Sequence, residues 1–111
     1  MKYVLLICDD ETVTPSPEQI GADPVHQRWL ADLERRGAER GGARLRPTTE
    51  ATTVRVRDGE TLVSDGPYAE TKDVVGGISM VECADLDEAI EVAAGHPYAQ
   101  WGSVEIRPVW E

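Results

Sequence analysis

The fold of this chain is decided by the stretch DGPYAETKD, residues 65–73, and the other elements can be placed around it. It follows the apolar run 61–63 and brings a turn former, an aromatic ring, acids and a lysine together. Glycine permits unusual backbone angles and proline removes a backbone donor, so a strand must end here and the chain must turn. Functional side chains concentrate on such loops because the sheet behind them fixes their position. A solvated polar connection is the alternative interpretation.

The composition favours one small globular domain over residues 1–111. The chain is 41% hydrophobic and has no phenylalanine, so its three tryptophans and its aliphatic side chains must supply most of the core. A formal net charge of −10 argues against binding to nucleic acid or to an anionic membrane, since both need a basic face. No apolar run approaches the roughly 20 residues of a membrane span. We therefore expect a cytoplasmic protein with neither a nucleic-acid nor a membrane partner.

The cysteines and histidines do not predict a metal or cofactor site. Cys8 and Cys83 lack metal-ligand spacing and fall in apolar strands, which is typical of buried free thiols in a reducing compartment. His26 and His96 are far apart in sequence, and neither has a matching ligand three or four residues away. His96 follows a predicted helix end, where a cationic imidazole would complement the helix dipole. With no phosphate-loop or dinucleotide motif present, we expect no cofactor and no metal.

Cap signals predict the first helix sharply. Asp23 offers an N-cap, Pro24 suits the first helical position, and Gly37 offers a stop, so we predict a helix over residues 24–36. A second helix is predicted to begin at a capping box and to end at a glycine (Asp85, Glu88, Gly95), with four apolar residues facing inward (Leu86, Ala89, Ile90, Ala93). The other predicted segments are a strand at 2–8, a loop at 12–22, an extended piece at 43–46, hairpin strands at 52–57 and 60–64 around an Asp58-Gly59 turn, and strands at 75–83 and 102–109.

His26 is the residue of interest on the first predicted helix. At 100° per residue it lies near the middle of the apolar stripe formed by Val25, Trp29, Leu30 and Leu33, so it points inward. One interpretation is a half-buried neutral histidine bonded to a backbone carbonyl. The other is a general acid or base in a pocket.

The predicted order is strand, helix, strand with a hairpin extension, strand, helix and strand. Both helices must then pack on one face of one antiparallel sheet, which gives an α+β fold. The opposite face still carries apolar residues from at least two strands. Because large exposed apolar patches usually mean a partner, we expect a homodimer that packs sheet on sheet.

The stretch at residues 65–72 resembles the DGPF-A-E-T-K signature of the YCII-related, or DGPF-domain, family, with Tyr68 where phenylalanine is usual. The segments 1–7, 51–59, 85–89 and 102–108 also fit, so the resemblance covers nearly the whole chain. It implies a ferredoxin-like βαββαβ antiparallel sheet with two helices on one face, in a dimeric α+β barrel. Residues 26–33 resemble the helix of the wider YCII group, in which a histidine belongs to a proposed catalytic histidine–aspartate pair.

The candidate site combines the helix start with the loop at residues 65–73. We predict His26 and Asp65 as an acid/base pair, although Asp65 can instead cap its own turn. The predicted ligand-binding residues are Arg46, Gly66, Pro67, Tyr68, Glu70 and Lys72. Eight arginines against four acids occupy residues 28–57, and Arg46 or Arg55 is expected to pair with the acidic loop or an anionic ligand.

Three functions are compatible with these residues. The chain can be a dimeric small-molecule-binding or regulatory accessory protein, or an enzyme that uses the histidine–aspartate pair on a small polar substrate. A third interpretation makes the acidic loop a dimer contact. Because relatives often lie beside genes for extracytoplasmic-function sigma factors, the resemblance favours the accessory protein.

Overall fold

A computed structural model describes residues 1–67 and 73–111 of the chain. The strands and helices, in chain order, are β1 (Lys2–Asp10), α1 (Pro17–Ala22), α2 (Pro24–Arg36), β2 (Glu39–Arg44), β3 (Thr52–Arg57), β4 (Glu60–Asp65), β5 (Asp73–Glu82), α3 (Leu86–Ala94), α4 (Tyr98–Trp101) and β6 (Ser103–Pro108). A single 3-10 turn, Thr48–Glu50, precedes β3. The fold is therefore α+β, with an antiparallel sheet as predicted.

The main sheet has four strands in the order β2-β5-β1-β6, and every neighbouring pair is antiparallel. The apolar first strand is central, as its sequence predicts. The register between β1 and β5 shifts after Ile7, which pairs with Gly77, whereas Cys8 pairs with Val75. Gly76 is thus the extra residue of a bulge, the role that a glycine within a strand often marks.

One face of the main sheet is covered by α2 and α3. Tyr3, Leu5 and Val81 point to this face and are 2%, 0% and 0% exposed. They form one cluster with the buried helix residues, among them Trp29, Leu33, Ala89 and Val92. The Trp29 indole N–H donates to the Val92 carbonyl at 2.8 Å, which links the two helices inside the core.

The cap signals of α2 are confirmed. The Asp23 carboxylate accepts from the Val25 N–H at 2.8 Å, Pro24 is the first helical residue, and Gly37 closes the helix with φ of 64°. Left-handed backbone of this kind favours glycine at a helix end. The predicted bounds of this helix are therefore correct.

Two further helices occur among the described residues. The prediction of a loop at 12–22 is wrong in its second half, because Ser16 and Gln19 form a reciprocal capping box with Pro17 at the first position of α1. The two prolines suggested a loop, yet one of them sits where proline starts a helix. The second helix is α4, which directly follows Pro97. In addition, β2 begins at Glu39, earlier than the extended piece predicted at 43–46.

The hairpin turn at Asp58-Gly59 is confirmed. Both residues have positive φ, 52° and 76°, which is the combination of a type I′ turn. However, β3 and β4 pair only with each other in a two-stranded sheet. Val54 and Val56 consequently remain 60% and 59% exposed, although they alternate with polar residues as strand residues should.

The inward face predicted for α3 is correct only in part. Ala89 and Ala93 are buried, but Leu86 and Ile90 are each 49% exposed. Val92, outside the predicted face, is 1% exposed and gives its carbonyl to Trp29. The buried face of α3 is therefore rotated toward Val92, the residue that contacts Trp29.

The opposite face of the main sheet remains apolar and open. Val4 pairs with Met80, and Leu6 pairs with Ile78, on the side away from Tyr3 and Leu5. Val4, Leu6 and Met80 are half-buried, and Ile78 is 40% exposed. None of the described helices is long and apolar enough to cross a membrane.

Candidate ligand-binding cavity

A cavity of about 760 Å³ opens on the helix-covered side of the sheet. It is lined from α1, α2, β1, β2 and β5, by His96 just after α3 and by Tyr98 of α4. Its volume lies within the roughly 300–1,000 Å³ of ligand sites in proteins. Ile7, Trp29, Leu30 and Leu33 form an apolar floor, which is the surface that such sites present to the apolar part of a ligand.

His96 provides a fixed polar group in this cavity. Its side chain is 4% exposed, and its Nδ1 accepts the Tyr98 backbone N–H at 3.1 Å. Nδ1 is therefore unprotonated, and Nε2 must carry the proton of the neutral ring. Burial, aided by the neighbouring His26, lowers the pKa of His96 to about 4.

The interpretation of His96 as a cation at a helix end is therefore wrong. The ring packs edge-on against Trp29, with centroids 4.6 Å apart, and against Tyr98 at 5.3 Å. These contacts remove it from water, and an imidazolium is unfavourable there. Because the chain turns at Gly95, the residue that follows is directed into the core and not to the helix surface.

His26 lies in the same cavity, as the predicted inward orientation requires. Its ring is half-buried, lies 6.2 Å from Trp29 in a stacked arrangement and meets His96 edge-on at 5.8 Å. Burial lowers the pKa of His26, and Arg44 lowers it further, while Asp23 opposes both. Its ring has no hydrogen bond to any residue that the structure describes, so the predicted bond to a backbone carbonyl is absent there.

Arg44 is the cation of the cavity wall, and sequence reasoning did not identify it. Its Nη1 donates to the Tyr98 hydroxyl at 3.3 Å and its Nη2 to the Pro15 carbonyl at 2.9 Å. Within the described part of the chain, no carboxylate lies in ion-pair distance of this guanidinium. The only sequence signal is its place in the extended piece predicted at 43–46, which also contains Arg46.

A second cavity, of about 630 Å³, adjoins the first and shares Pro17, Arg44, Gly76 and Tyr98 with it. Asp9, at the end of β1, lines this second cavity and is 1% exposed. Its Oδ2 accepts from the Thr14 hydroxyl, whereas its Oδ1 has no donor among the described residues. Asp9 directly follows the strand predicted at 2–8, and sequence analysis did not identify it as a site residue.

The predicted ligand residue Arg46 lies apart from the first cavity. It lines the second cavity and forms an exposed ion pair with Glu50 at 3.1 Å. Both arginines, Arg44 and Arg46, line the second cavity, whereas Arg44 also lines the first. The expected pairing of Arg46 with the acidic loop stays a prediction, because residues 68–72 lie outside the described residues.

Asp65 is the last residue of β4 and pairs with Thr52. It is exposed and is not among the described residues that line either cavity. The pairing of His26 with Asp65 therefore stays a prediction, and the composition of these two cavities does not favour it.

Gly66 and Pro67 follow β4 at the predicted turn. The Gly66 N–H donates to the Ala51 carbonyl at 2.7 Å, and its own carbonyl accepts from the Thr53 hydroxyl at 2.7 Å. Tyr68, Glu70 and Lys72, which we predicted to bind a ligand, lie outside the described residues. Within the described ranges 1–67 and 73–111, no group of three or more possible ligands is placed to hold a metal ion.

Comparison with known proteins gives two matches over this chain. The family model of the YCII-related domain matches residues 1–111. An uncharacterized protein of Rhizobium meliloti (strain 1021) is 41% identical over 115 residues, a match that covers 98% of this chain and 92% of that protein. The similarity therefore extends well beyond the acidic loop at residues 65–73.

Proposed function

The chain belongs to the YCII-related family, and on this basis we propose that it is a dimeric small-molecule-binding protein with a regulatory or accessory role. The observation that carries the proposal is the cavity of about 760 Å³ between the helices and the sheet. It combines an apolar floor with a few polar groups, His26, Arg44 and His96, which is the usual composition of a binding site for a small molecule.

The strand order supports a ferredoxin-like arrangement for the main sheet. Without the hairpin, the chain runs strand, helix, strand, strand, helix, strand, and the first strand lies between the third and the fourth. The hairpin is then an insertion between β2 and β5, and α1 and α4 are short additions. We propose this topology as the family's βαββαβ fold.

The open face of the main sheet supports a homodimer. Val4, Leu6, Ile78 and Met80 lie together there, and a second copy packed against them would remove this apolar surface from water. We propose that two sheets pack face to face in this way, as in a dimeric α+β barrel. The cavity lies on the other side of the sheet, so dimerisation of this kind leaves it accessible.

We propose a cytoplasmic protein without a nucleic-acid partner, and the charge of the chain supports the absence of that partner. Its formal net charge is −10, whereas binding to the phosphate backbone needs a basic surface. The proposed ligand is therefore a small molecule.

An enzyme is the second candidate function, and the position of His26 favours it. The ring lies in the cavity, and its lowered pKa leaves it neutral and able to accept a proton near pH 7. In this candidate, His26 acts as general acid or base on a small polar substrate, with Asp65 as its proposed partner.

A thermal-shift screen of a metabolite library tests the proposed function. A compound that binds the folded state raises the melting temperature by mass action. We expect hits whose shift is reduced in a variant that fills the cavity, Ser79→Leu, because Ser79 lines the cavity and shares the face of Leu5. The shift should be retained in Ala94→Leu, which changes an exposed residue outside the cavity. A screen without hits would contradict binding, whereas hits that are converted to product on incubation would favour the enzyme.

A further inference from the structure

We propose that the ligand of the first cavity carries one carboxylate beside an apolar group, and that Arg44, Tyr98 and His96 bind this carboxylate. The inference rests on the proposed function and names the ligand class of the same cavity. It depends on three hydrogen-bond donors that line one wall and on the charge that these donors can neutralise.

Arg44 supplies the positive charge. A guanidinium has five N–H donors in a planar fork, and the described contacts of Arg44 employ them on two neutral oxygens, those of Tyr98 and Pro15. The other arginine that lines a cavity, Arg46, already pairs with Glu50. Among the described residues, Arg44 is thus the cavity-lining arginine that forms no ion pair with a carboxylate.

Tyr98 supplies a second donor. Its side chain is 4% exposed, and its hydroxyl oxygen accepts from Arg44. The hydroxyl proton is therefore directed elsewhere and is available to a ligand. Burial raises the pKa of Tyr98, so the hydroxyl keeps this proton at neutral pH.

His96 supplies the third donor. Its Nδ1 is engaged by the Tyr98 backbone N–H, so the proton is on Nε2. Nε2 has no hydrogen-bond partner among the described residues, and it is not fully buried. It is therefore accessible from the cavity. A neutral ring in this tautomer donates one hydrogen bond without adding a charge.

The balance of charge favours a monoanion. One guanidinium and two neutral donors match one carboxylate, whose two oxygens fit the guanidinium fork. The acids Glu34 and Glu39 also line the cavity, and Asp9 lines the adjoining one. A dianion such as a phosphate monoester would retain an unneutralised charge near these acids, which is costly in a partly buried site.

The apolar floor determines the rest of the ligand. Trp29 and Leu33 are 6% and 1% exposed, and with Ile7 they present carbon surface beside the three donors. A flat or branched hydrocarbon group fits this floor. An arylalkyl carboxylate is therefore a suitable probe of the inference.

Isothermal titration with matched probes tests the ligand class. We would compare 3-phenylpropanoate with its neutral isostere 3-phenylpropanamide and with 2-phenylethylphosphonate, all at a pH above the second pKa of the phosphonate, where it is a dianion. We expect the carboxylate to bind at least about tenfold more tightly than either, since hydrogen bonds to charged groups contribute more than neutral ones.

Substitutions in the cavity wall test whether the residues of that wall cause the preference for carboxylate. Arg44→Met should abolish the preference for carboxylate over amide, and Arg44→Lys should retain part of it because the charge remains. Arg46→Met is the matched control and should keep the preference. Tyr98→Phe and His96→Asn should each weaken carboxylate binding by about threefold to tenfold, and the introduced amide oxygen of the His96→Asn variant can still accept the Tyr98 N–H.

Several outcomes would overturn the inference. An amide that binds as well as the carboxylate would do so, as would a tighter phosphonate or an undiminished preference in Arg44→Met. If none of the three probes binds while other library compounds bind in the cavity, the carboxylate inference fails and the proposed function stands. If no compound binds at all, both fail.

Discussion

The two faces of the main sheet are built from the same strands but are completed in different ways. Leu5 and Leu6 are neighbours on β1, yet Leu5 is fully buried beneath the helices whereas Leu6 is half-buried on the open face. Strand alternation sends them to opposite sides. The helices of the chain cover one face of the sheet. They do not fill all the space above that face, and the cavity lies between them and the sheet.

The difference separates two roles within one small structure. The helix-covered face brings together polar groups from distant parts of the chain, His26, Arg44, His96 and Tyr98, around an apolar floor. The open face presents mostly carbon to its surroundings, and we propose a second copy as its cover. Ligand binding and dimerisation would thus use opposite sides of the same strands.

The sharpest test of this comparison replaces the two neighbouring leucines. Leu5→Ala should lower the free energy of unfolding by about 3 kcal/mol, because it opens a cavity in a closed core. In the monomer, at concentrations below the dissociation constant of the proposed dimer, Leu6→Ala should lower it by less than half as much, since this side chain then meets water. Urea denaturation monitored by circular dichroism measures both, and equal losses would contradict the distinction between the faces.

A charge on the open face tests the proposed dimer. Ile78→Glu should raise the dissociation constant of the dimer about a hundredfold, because the carboxylate would lose its hydration in a face-to-face contact. Leu86→Glu is the control, as it places the same charge on an exposed helix position of similar exposure. Sedimentation equilibrium should give twice the 12.2 kDa chain mass for the unmodified protein and the control. A monomeric unmodified protein at micromolar concentration would exclude the dimer.

Acid should destabilise the helix-covered side through His96. Its pKa is lowered from 6.5 to about 4 in the folded chain, so the unfolded chain binds a proton first as the pH falls. The contribution of neutral His96 to the free energy of unfolding is complete above the unfolded pKa and is lost as the pH falls toward 4. Between about pH 7 and pH 5, the free energy of unfolding should therefore fall by about 2 kcal/mol through His96.

His96→Asn separates this effect from the titration of other groups. The variant cannot titrate at this position, so its free energy of unfolding should fall by about 2 kcal/mol less over the same interval. His26 remains in both proteins, so its own titration cancels in the comparison apart from its coupling to His96. Parallel pH profiles for the two proteins would show that His96 is not the buried neutral group described above.

The smallest expected effect lies in the hairpin, away from both faces. Gly59→Val should lower the free energy of unfolding by roughly 1 kcal/mol, because a β-branched residue resists positive φ. Gly59→Asn should cost less, since asparagine tolerates left-handed backbone. An unchanged melting temperature for the valine variant would contradict the turn geometry.

Local chemistry made part of the fold predictable. Asp23, Pro24 and Gly37 fix both ends of α2, and Asp58-Gly59 fixes the hairpin turn, because each signal acts within a few residues. Helix α1 was missed although its capping box is equally local, since two nearby prolines suggested a loop. The rotation of α3 depends on a contact with Trp29, which its own residues do not specify.

The site was less predictable because its residues meet only through the strand order. His26 was identified from its place in an apolar stripe, and the cavity contains it. In the sequence, Arg44 cannot be distinguished from the other arginines of its segment. The structure shows that it lies at the end of β2 and donates to Tyr98. His96 and Asp9 carry no sequence signal of burial, and both become buried only when separate elements pack around them.

The central claim, a ligand cavity on the helix-covered face, is tested most directly by nuclear magnetic resonance of the three tryptophan indoles. Trp29 lines the cavity, whereas Trp110 is fully exposed and does not line it. During titration with 3-phenylpropanoate or a compound from the screen, the Trp29 indole N–H signal should shift and saturate while the Trp110 signal stays fixed. Saturable binding that moves the Trp110 signal and not that of Trp29 would contradict the account.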